Sequence, residues 1–114
     1  MTVLKRSLKV MDKILSMISL ATKAGKTAGG EFSVEKAVKG RKAHMVIVSV
    51  EASDNTKKKF TNMCSFYKVP VYFYGTKEEL GHFMGKEFRA SVAILDEGFK
   101  KALEKQFLSM EVML

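Results

Sequence analysis

The chain has 114 residues, 46% hydrophobic and 28% charged, the size and make-up of one globular domain (residues 1–114) and not of a disordered polymer. Its one cysteine, Cys64, can form neither an internal disulfide nor a Cys-based zinc site. That excludes a secreted disulfide scaffold and points to a reducing, cytoplasmic setting. The net charge is +8 and unevenly spread, with ten Lys/Arg against three acids in residues 1–50 and ten against nine beyond.

Taken in chain order, residues 7–24 place Leu8, Met11, Ile14, Leu15, Ile18 and Ala21 at the i, i+3, i+4, i+7 spacing of one helical stripe. Met17 and Leu20 lie off the stripe and are expected to touch a second neighbour. Lys5, Arg6 and Lys9 ahead of an apolar stretch imitate a signal peptide. Asp12 and Lys13 abut that stretch, however, and Ser16 and Ser19 interrupt it, so a helix of the fold is the better reading. Gly25 stands where a left-handed C-terminal cap belongs. Gly25-Lys26-Thr27 resembles the tail of a phosphate-binding loop, but position 20 is Leu and the string closes a helix instead of opening one.

A short segment, residues 26–28, leads to Gly29-Gly30 and a second, basic helix ending at Gly40. Residues 43–50 read as a strand buried on both faces, because Met45, Val46, Ile47 and Val48 are consecutively apolar and mostly β-branched. Asp54 can cap a third helix with Phe60, Met63, Cys64 and Tyr67 inward and Lys57-Lys58-Lys59 solvated. Capping also accounts for Ser53, Asp54 and Asn55 without catalysis. Val69-Pro70 stops this helix, and residues 71–74 form a strand whose Tyr72, Phe73 and Tyr74 are mostly core. Thr76 to Glu79 match a capping box opening a short helix with Leu80, Phe83 and Met84 inside. A mostly polar loop, residues 85–91, precedes a strand at 92–95, and Asp96 caps a last helix with Phe99, Leu103, Phe107 and Met110 facing in.

Helices alternating with short strands predict an α/β sandwich, a central sheet covered on both faces. Apolar runs of about four residues fall far below the ~20 that span a bilayer, so no membrane partner is expected. His44, His82 and Cys64 show no metal-ligand spacing, and no cofactor is expected.

The charge-rich half suggests a polyanion, with RNA, DNA or an anionic membrane as candidates. Residues 26–42 carry the sharpest signal. Adjacent glycines let the backbone approach a partner closely, and a helix N-terminus follows at once, which favours anions. Lys26, Lys36, Lys39, Arg41 and Lys42 surround it, and Phe32, Lys36 and Lys39 share one helical face beside Ser33.

Residues 30–38, 43–49 and 67–71, followed in order by Glu79-Leu80-Gly81 and residues 89–94, resemble the ribosomal L-seven-Ae/L-thirty-e superfamily over roughly residues 10–104. Glu51-Ala52-Ser53, Asn55-Thr56, Lys58-Lys59, Cys64 and Gly81-His82 look most like its small bacterial YlxQ-type members. The resemblance implies a three-layer α/β/α sandwich with a small mixed central sheet that binds kink-turn RNA without catalysis. It implies that Gly29 and Gly30 allow close approach of the RNA, that Lys36 contacts a guanine edge or phosphate, and that Lys26 holds the RNA backbone. It further implies that Glu51 sits near an exposed base and that Phe88, Arg89, Ala90 and Ser91 form a covering loop. Phe32 and Ser33 stand where the family's stronger RNA binders carry Asn and Glu. A phenyl ring offers no hydrogen bond to a base edge, and Ser33 supplies one hydroxyl in place of a carboxylate.

The leading expectation is therefore a non-enzymatic, ribosome-associated protein whose partner is structured RNA, either a kink-turn or ribosomal RNA, with contacts to ribosomal proteins. The alternative is a ribosome-associated protein-interaction module with little direct RNA recognition, motivated by the apolar residues Leu108, Met110, Val112, Met113 and Leu114. An enzyme ranks third, since Glu51, Asp54, His44 and His82 have no supporting spacing.

Overall fold

A computed structural model describes residues 12–113, with side chains as far as Met110. In chain order the elements are α1 (Lys13–Lys23), β1 (Thr27–Gly29), α2 (Glu31–Lys39), β2 (Met45–Val48), α3 (Asp54–Tyr67), β3 (Val71–Phe73), α4 (Lys77–Phe83), β4 (Ser91–Ile94) and α5 (Glu97–Met113). The strands form one sheet in the order β1-β4-β2-β3. β4 runs antiparallel to both β1 and β2, while β2 and β3 are parallel, so the sheet is mixed.

Strand alternation divides the core into two layers. Met45, Ile47, Val92 and Ile94 point to one face, where they meet Ile14, Leu15 and Ile18 of α1, Leu80 of α4, and Leu103 and Phe107 of α5. Val46, Val48 and Ala93 point to the other, against Val34, Ala37 and Val38 of α2 and Phe60 and Cys64 of α3. The result is the three-layer α/β/α sandwich, each fully buried large side chain contributing roughly 1.5–3 kcal/mol. Cys64 is a core residue whose burial pushes its thiol up to about 11.

Local chemistry explains the element ends. Gly25, at φ 73°, closes α1, with its N–H bonded to the Thr22 carbonyl and the Lys26 N–H to the Ala21 carbonyl. Thr76 and Glu79 exchange side-chain and backbone bonds of 3.0 and 2.9 Å, the expected capping box of α4. Asp96 Oδ2 accepts from the Phe99 N–H at 3.0 Å and opens α5.

Several expectations are corrected. Leu8 and Met11 lie outside the described residues, as do the side chains of Val112, Met113 and Leu114. Met17 packs against the core, but Leu20 is 55% exposed, with no element of the described residues covering that side of α1. Residues 27–29 are a strand, held by the ladder from Val92 to Ile94 and not by their own composition. Ser53, not Asp54, caps α3, since its Oγ accepts the Thr56 N–H at 3.2 Å. Lys59 is not merely solvated: it bridges to Glu31 at 2.9 Å and to Glu35 at 2.8 Å, tying α3 to α2. Met110 is 41% exposed, because α5 runs past the edge of the core it covers.

Candidate nucleic-acid interface

β1 is parallel to β2 and β3, since both β1 and β2 run against β4. Their C-terminal ends therefore share one rim of the sheet with the start of β4. Open α/β sheets place ligand sites outside the carboxyl ends of strands. Gly30, the segment 49–51, the segment 75–77 and the loop 85–90 all meet at this rim.

Backbone bonds lock the loops together. The Gly30 N–H donates to the Ser91 carbonyl at 3.1 Å and the Ser49 N–H to the Ala90 carbonyl at 2.8 Å. The Arg89 N–H donates to the Lys77 carbonyl at 3.0 Å. The Lys77 N–H in turn donates to Glu51 Oε1 at 3.0 Å. Ser49 Oγ donates to the Gly75 carbonyl and accepts the Glu51 N–H, closing the set.

Gly30 has φ 93° and ψ 152°, a region essentially reserved for glycine, and it opens α2 without a side-chain capping bond. The Arg89 side chain lies across both glycines. A Cβ at Gly29 would stand 3.5 Å from Arg89 Cδ and 2.6 Å from Met84 Cε, and one at Gly30 would stand 3.9 Å from Arg89 Cδ and Nε. Arg89 Nη1 donates to the Phe88 carbonyl at 2.7 Å. Phe88, next to this arginine in the chain, is 61% exposed, and Phe32, in the first turn of α2, is 79% exposed, so both rings face outward. A groove of about 520 Å³ runs along α2 from Phe32 and Ser33 past Lys36 to Gly40 and Lys42, with Ala28 as its floor.

Charge is sorted across α2. Glu31 and Glu35 turn to α3 and pair with Lys59, and Glu35 also holds Lys39 at 2.7 Å. Lys36, Lys42 and Arg89 have no carboxylate within 4 Å among the described residues. Hydrogen bonds from Lys39 and then Lys59 hold the Glu35 carboxyl at about 2, below its ordinary 4.5. A depressed carboxyl stabilises the fold above its unfolded value, so this bridge is present above about pH 4.5 and is lost as pH falls towards about 2. NMR titration of the Glu35 side-chain carboxyl should find its midpoint near the lower value, and a midpoint at 4.5 would contradict the bridge.

The expected site residues are thus only partly brought together. Gly29, Gly30, Phe88 and Arg89 converge on the rim, and Phe32, Ser33 and Lys36 line the adjoining groove. Glu51 reaches the rim but is engaged as an acceptor at the start of α4. Ala90 packs towards the second core layer. Ser91, expected in the covering loop, is the first residue of β4 and fully buried, so only its carbonyl takes part. Lys26 is exposed at the far end of β1, where its carbonyl accepts from the Leu95 N–H, and it is not part of the rim. The anchoring roles of Lys77 and Gly75 carry no sequence signal of their own. They depend on where loops from distant segments come to rest. Among the described residues, no group of three His, Cys, Asp or Glu side chains is placed to hold a metal, and no helix is long and apolar enough to cross a membrane.

The model of the Ribosomal protein L7Ae/L30e/S12e/Gadd45 family matches residues 12–104. The chain is 39% identical over 87 residues to the RNA-binding protein YlxQ of Bacillus subtilis, covering 76% of this chain and 87% of that protein. It is 35% identical over 95 residues to the large ribosomal subunit protein eL30 of Candida albicans, covering 82% and 90%. A solved structure of a protein with unknown function from Bacillus halodurans superposes with a TM-score of 0.80 at 36% identity, covering 82% of this chain and 95% of that one.

Proposed function

Because the chain belongs to the Ribosomal protein L7Ae/L30e/S12e/Gadd45 family, we propose that it is a non-enzymatic RNA-binding protein of the cytoplasm, associated with the ribosome and selective for kink-turn-like RNA. One observation carries the reading: the Arg89 side chain, with no carboxylate within 4 Å among the described residues, lies across the Gly29-Gly30 turn that leads into the α2 groove holding Lys36. The glycines admit the RNA backbone, Arg89 and Lys36 hold phosphates or a guanine edge, and the outward rings of Phe32 and Phe88 stack on an unpaired base. The segment 88–90 covers that base. Selection of bent RNA then rests on the shape of the rim and less on the amide contact that Phe32 removes.

Binding should be measured on a kink-turn RNA and a plain duplex of equal length over a range of salt. The expected result is tighter binding to the bent RNA at every salt, with log affinity falling linearly against log salt for both. Equal affinity throughout would refute kink-turn selection.

A second reading draws on α5, where Leu108 and Met110 stand exposed. On that view the chain is a protein-interaction module of the ribosome, and charge reversal at Lys36 and Arg89 would leave its partner bound.

A further inference from the structure

We propose that the RNA interface continues along α2 to the opposite end of the sheet, where Arg41 and Lys68 hold backbone phosphates of the duplex stem leaving the bent site. This extension rests on the RNA-binding reading above.

A cavity of about 300 Å³ opens at that end, beside the starts of β2 and β3, and is lined by Arg41, Tyr67 and Lys68 with His44 and Glu97 on its wall. His44 Nδ1 lies 3.2 Å from Glu97 Oε1, and Glu97 Oε2 also faces Lys101 at 3.8 Å. Arg41 and Lys68 have φ of 58° and 60°, the two left-handed non-glycine residues among those described. Arg41 follows α2, where its N–H donates to the Val38 carbonyl and the Lys42 N–H to the Ala37 carbonyl. Lys68 closes α3, and the Val69 N–H donates to the Cys64 carbonyl. A left-handed cap is strained for any residue bearing a Cβ and free for glycine. The helix dipole does not account for the choice in α2, since Lys36 and Lys39 already occupy its last turn. Two long cations in place of glycine, on separate helices and facing one cavity, are a conformational cost retained for a ligand.

Neither cation has a carboxylate within 4 Å among the described residues. The Arg41 guanidinium lies 5.4 Å over the Tyr67 ring, which orders it without neutralising it. Lys36 and Lys42 line the groove along α2, and Arg41, next to Lys42 in the chain, lines the cavity beyond the end of that helix. The nine residues of α2, at about 1.5 Å each, carry it roughly 13 Å from the rim. A strand of a duplex sets down successive phosphates over that length.

The test uses the full chain carrying Arg41→Gly and Lys68→Gly, with kink-turn RNAs whose stem is a full helical turn or half of one. The double variant should keep or raise the thermal midpoint, because glycine relieves both left-handed positions. Its affinity for the long-stem RNA should fall on the order of tenfold, and the salt slope should shrink by about two. The short-stem RNA should bind both proteins alike. Unchanged affinity and slope on the long stem would overturn the proposal, and so would an equal loss on both RNAs. Arg41→Asn with Lys68→Asn, which also accepts the left-handed conformation, repeats the measurement should the glycine variant fail to fold. A wild-type chain with no preference for bent RNA would remove the underlying reading, whereas a preserved preference with an unaffected variant removes the extension alone.

Discussion

Gly81→Ala is expected to destabilise the fold by about 1–3 kcal/mol and to weaken RNA binding in the same step. Gly81 is buried on α4, and the loop 85–90 passes directly over it. A methyl there would stand 2.6 Å from the Glu87 carbonyl carbon and 2.8 Å from the Phe88 nitrogen, and nearer still to the Glu87 oxygen. These are backbone atoms, which cannot rotate aside as a side chain would. The loop is also pinned on both sides of the clash, by the Lys86 N–H to the Gly81 carbonyl at 2.7 Å and the Arg89 N–H to the Lys77 carbonyl at 3.0 Å. Relief therefore requires the whole segment to lift, carrying Phe88 and Arg89 off the rim. Gly85→Ala is the contrasting variant. Its φ of 74° strains an alanine, but nothing lies within 4 Å, so the loop keeps its place. Chemical denaturation and RNA titration of the two variants should separate a loss of stability alone from a loss of stability with binding. Equal binding by both would show that the loop position does not matter to the RNA.

Arg89→Ala should cost about 1–3 kcal/mol of RNA affinity, roughly 5- to 150-fold, with little effect on stability. Its guanidinium has no carboxylate to leave unpaired among the described residues, and its Nη1 donates to the adjacent Phe88 carbonyl. Removal therefore orphans no buried group. Arg89→Lys should restore only part of the affinity, because an ammonium keeps the charge but loses the planar fork that can hold a guanine edge or phosphate by two bonds. Complete rescue by lysine would reduce the arginine to a point charge in the RNA field. No loss with alanine would remove it from the interface.

Most of the fold could be read from the chain where a pattern is both long and local. The stripe Ile14, Leu15, Ile18 and Ala21 is buried as its spacing requires, and the apolar runs in β2 and β4 are the two central strands, buried on both faces. Three-residue β1 escaped such reading, since Thr27, Ala28 and Gly29 carry too little pattern and become a strand only through the β4 ladder. The same limit applies to the site. Gly29, Gly30 and Lys36 are marked by local chemistry, whereas the crossing of Arg89 over the glycines joins segments some sixty positions apart. Lys26 shows the opposite failure: adjacency in sequence suggested membership in the rim, but the extended path of β1 carries it to the other end of the sheet. Lys59 looks like a solvated charge in the sequence because its partners, Glu31 and Glu35, lie on another helix.

On the proposed reading, the rim formed by the Gly29-Gly30 turn and the loop bearing Arg89 is the RNA-binding surface. Amide chemical-shift mapping of the isotopically labelled chain, titrated with a kink-turn RNA, tests it most directly. The largest shifts should fall on Gly30, Phe32, Lys36, Phe88 and Arg89. Shifts confined to the exposed face of α5 around Leu108 and Met110, with the rim unmoved, would contradict it.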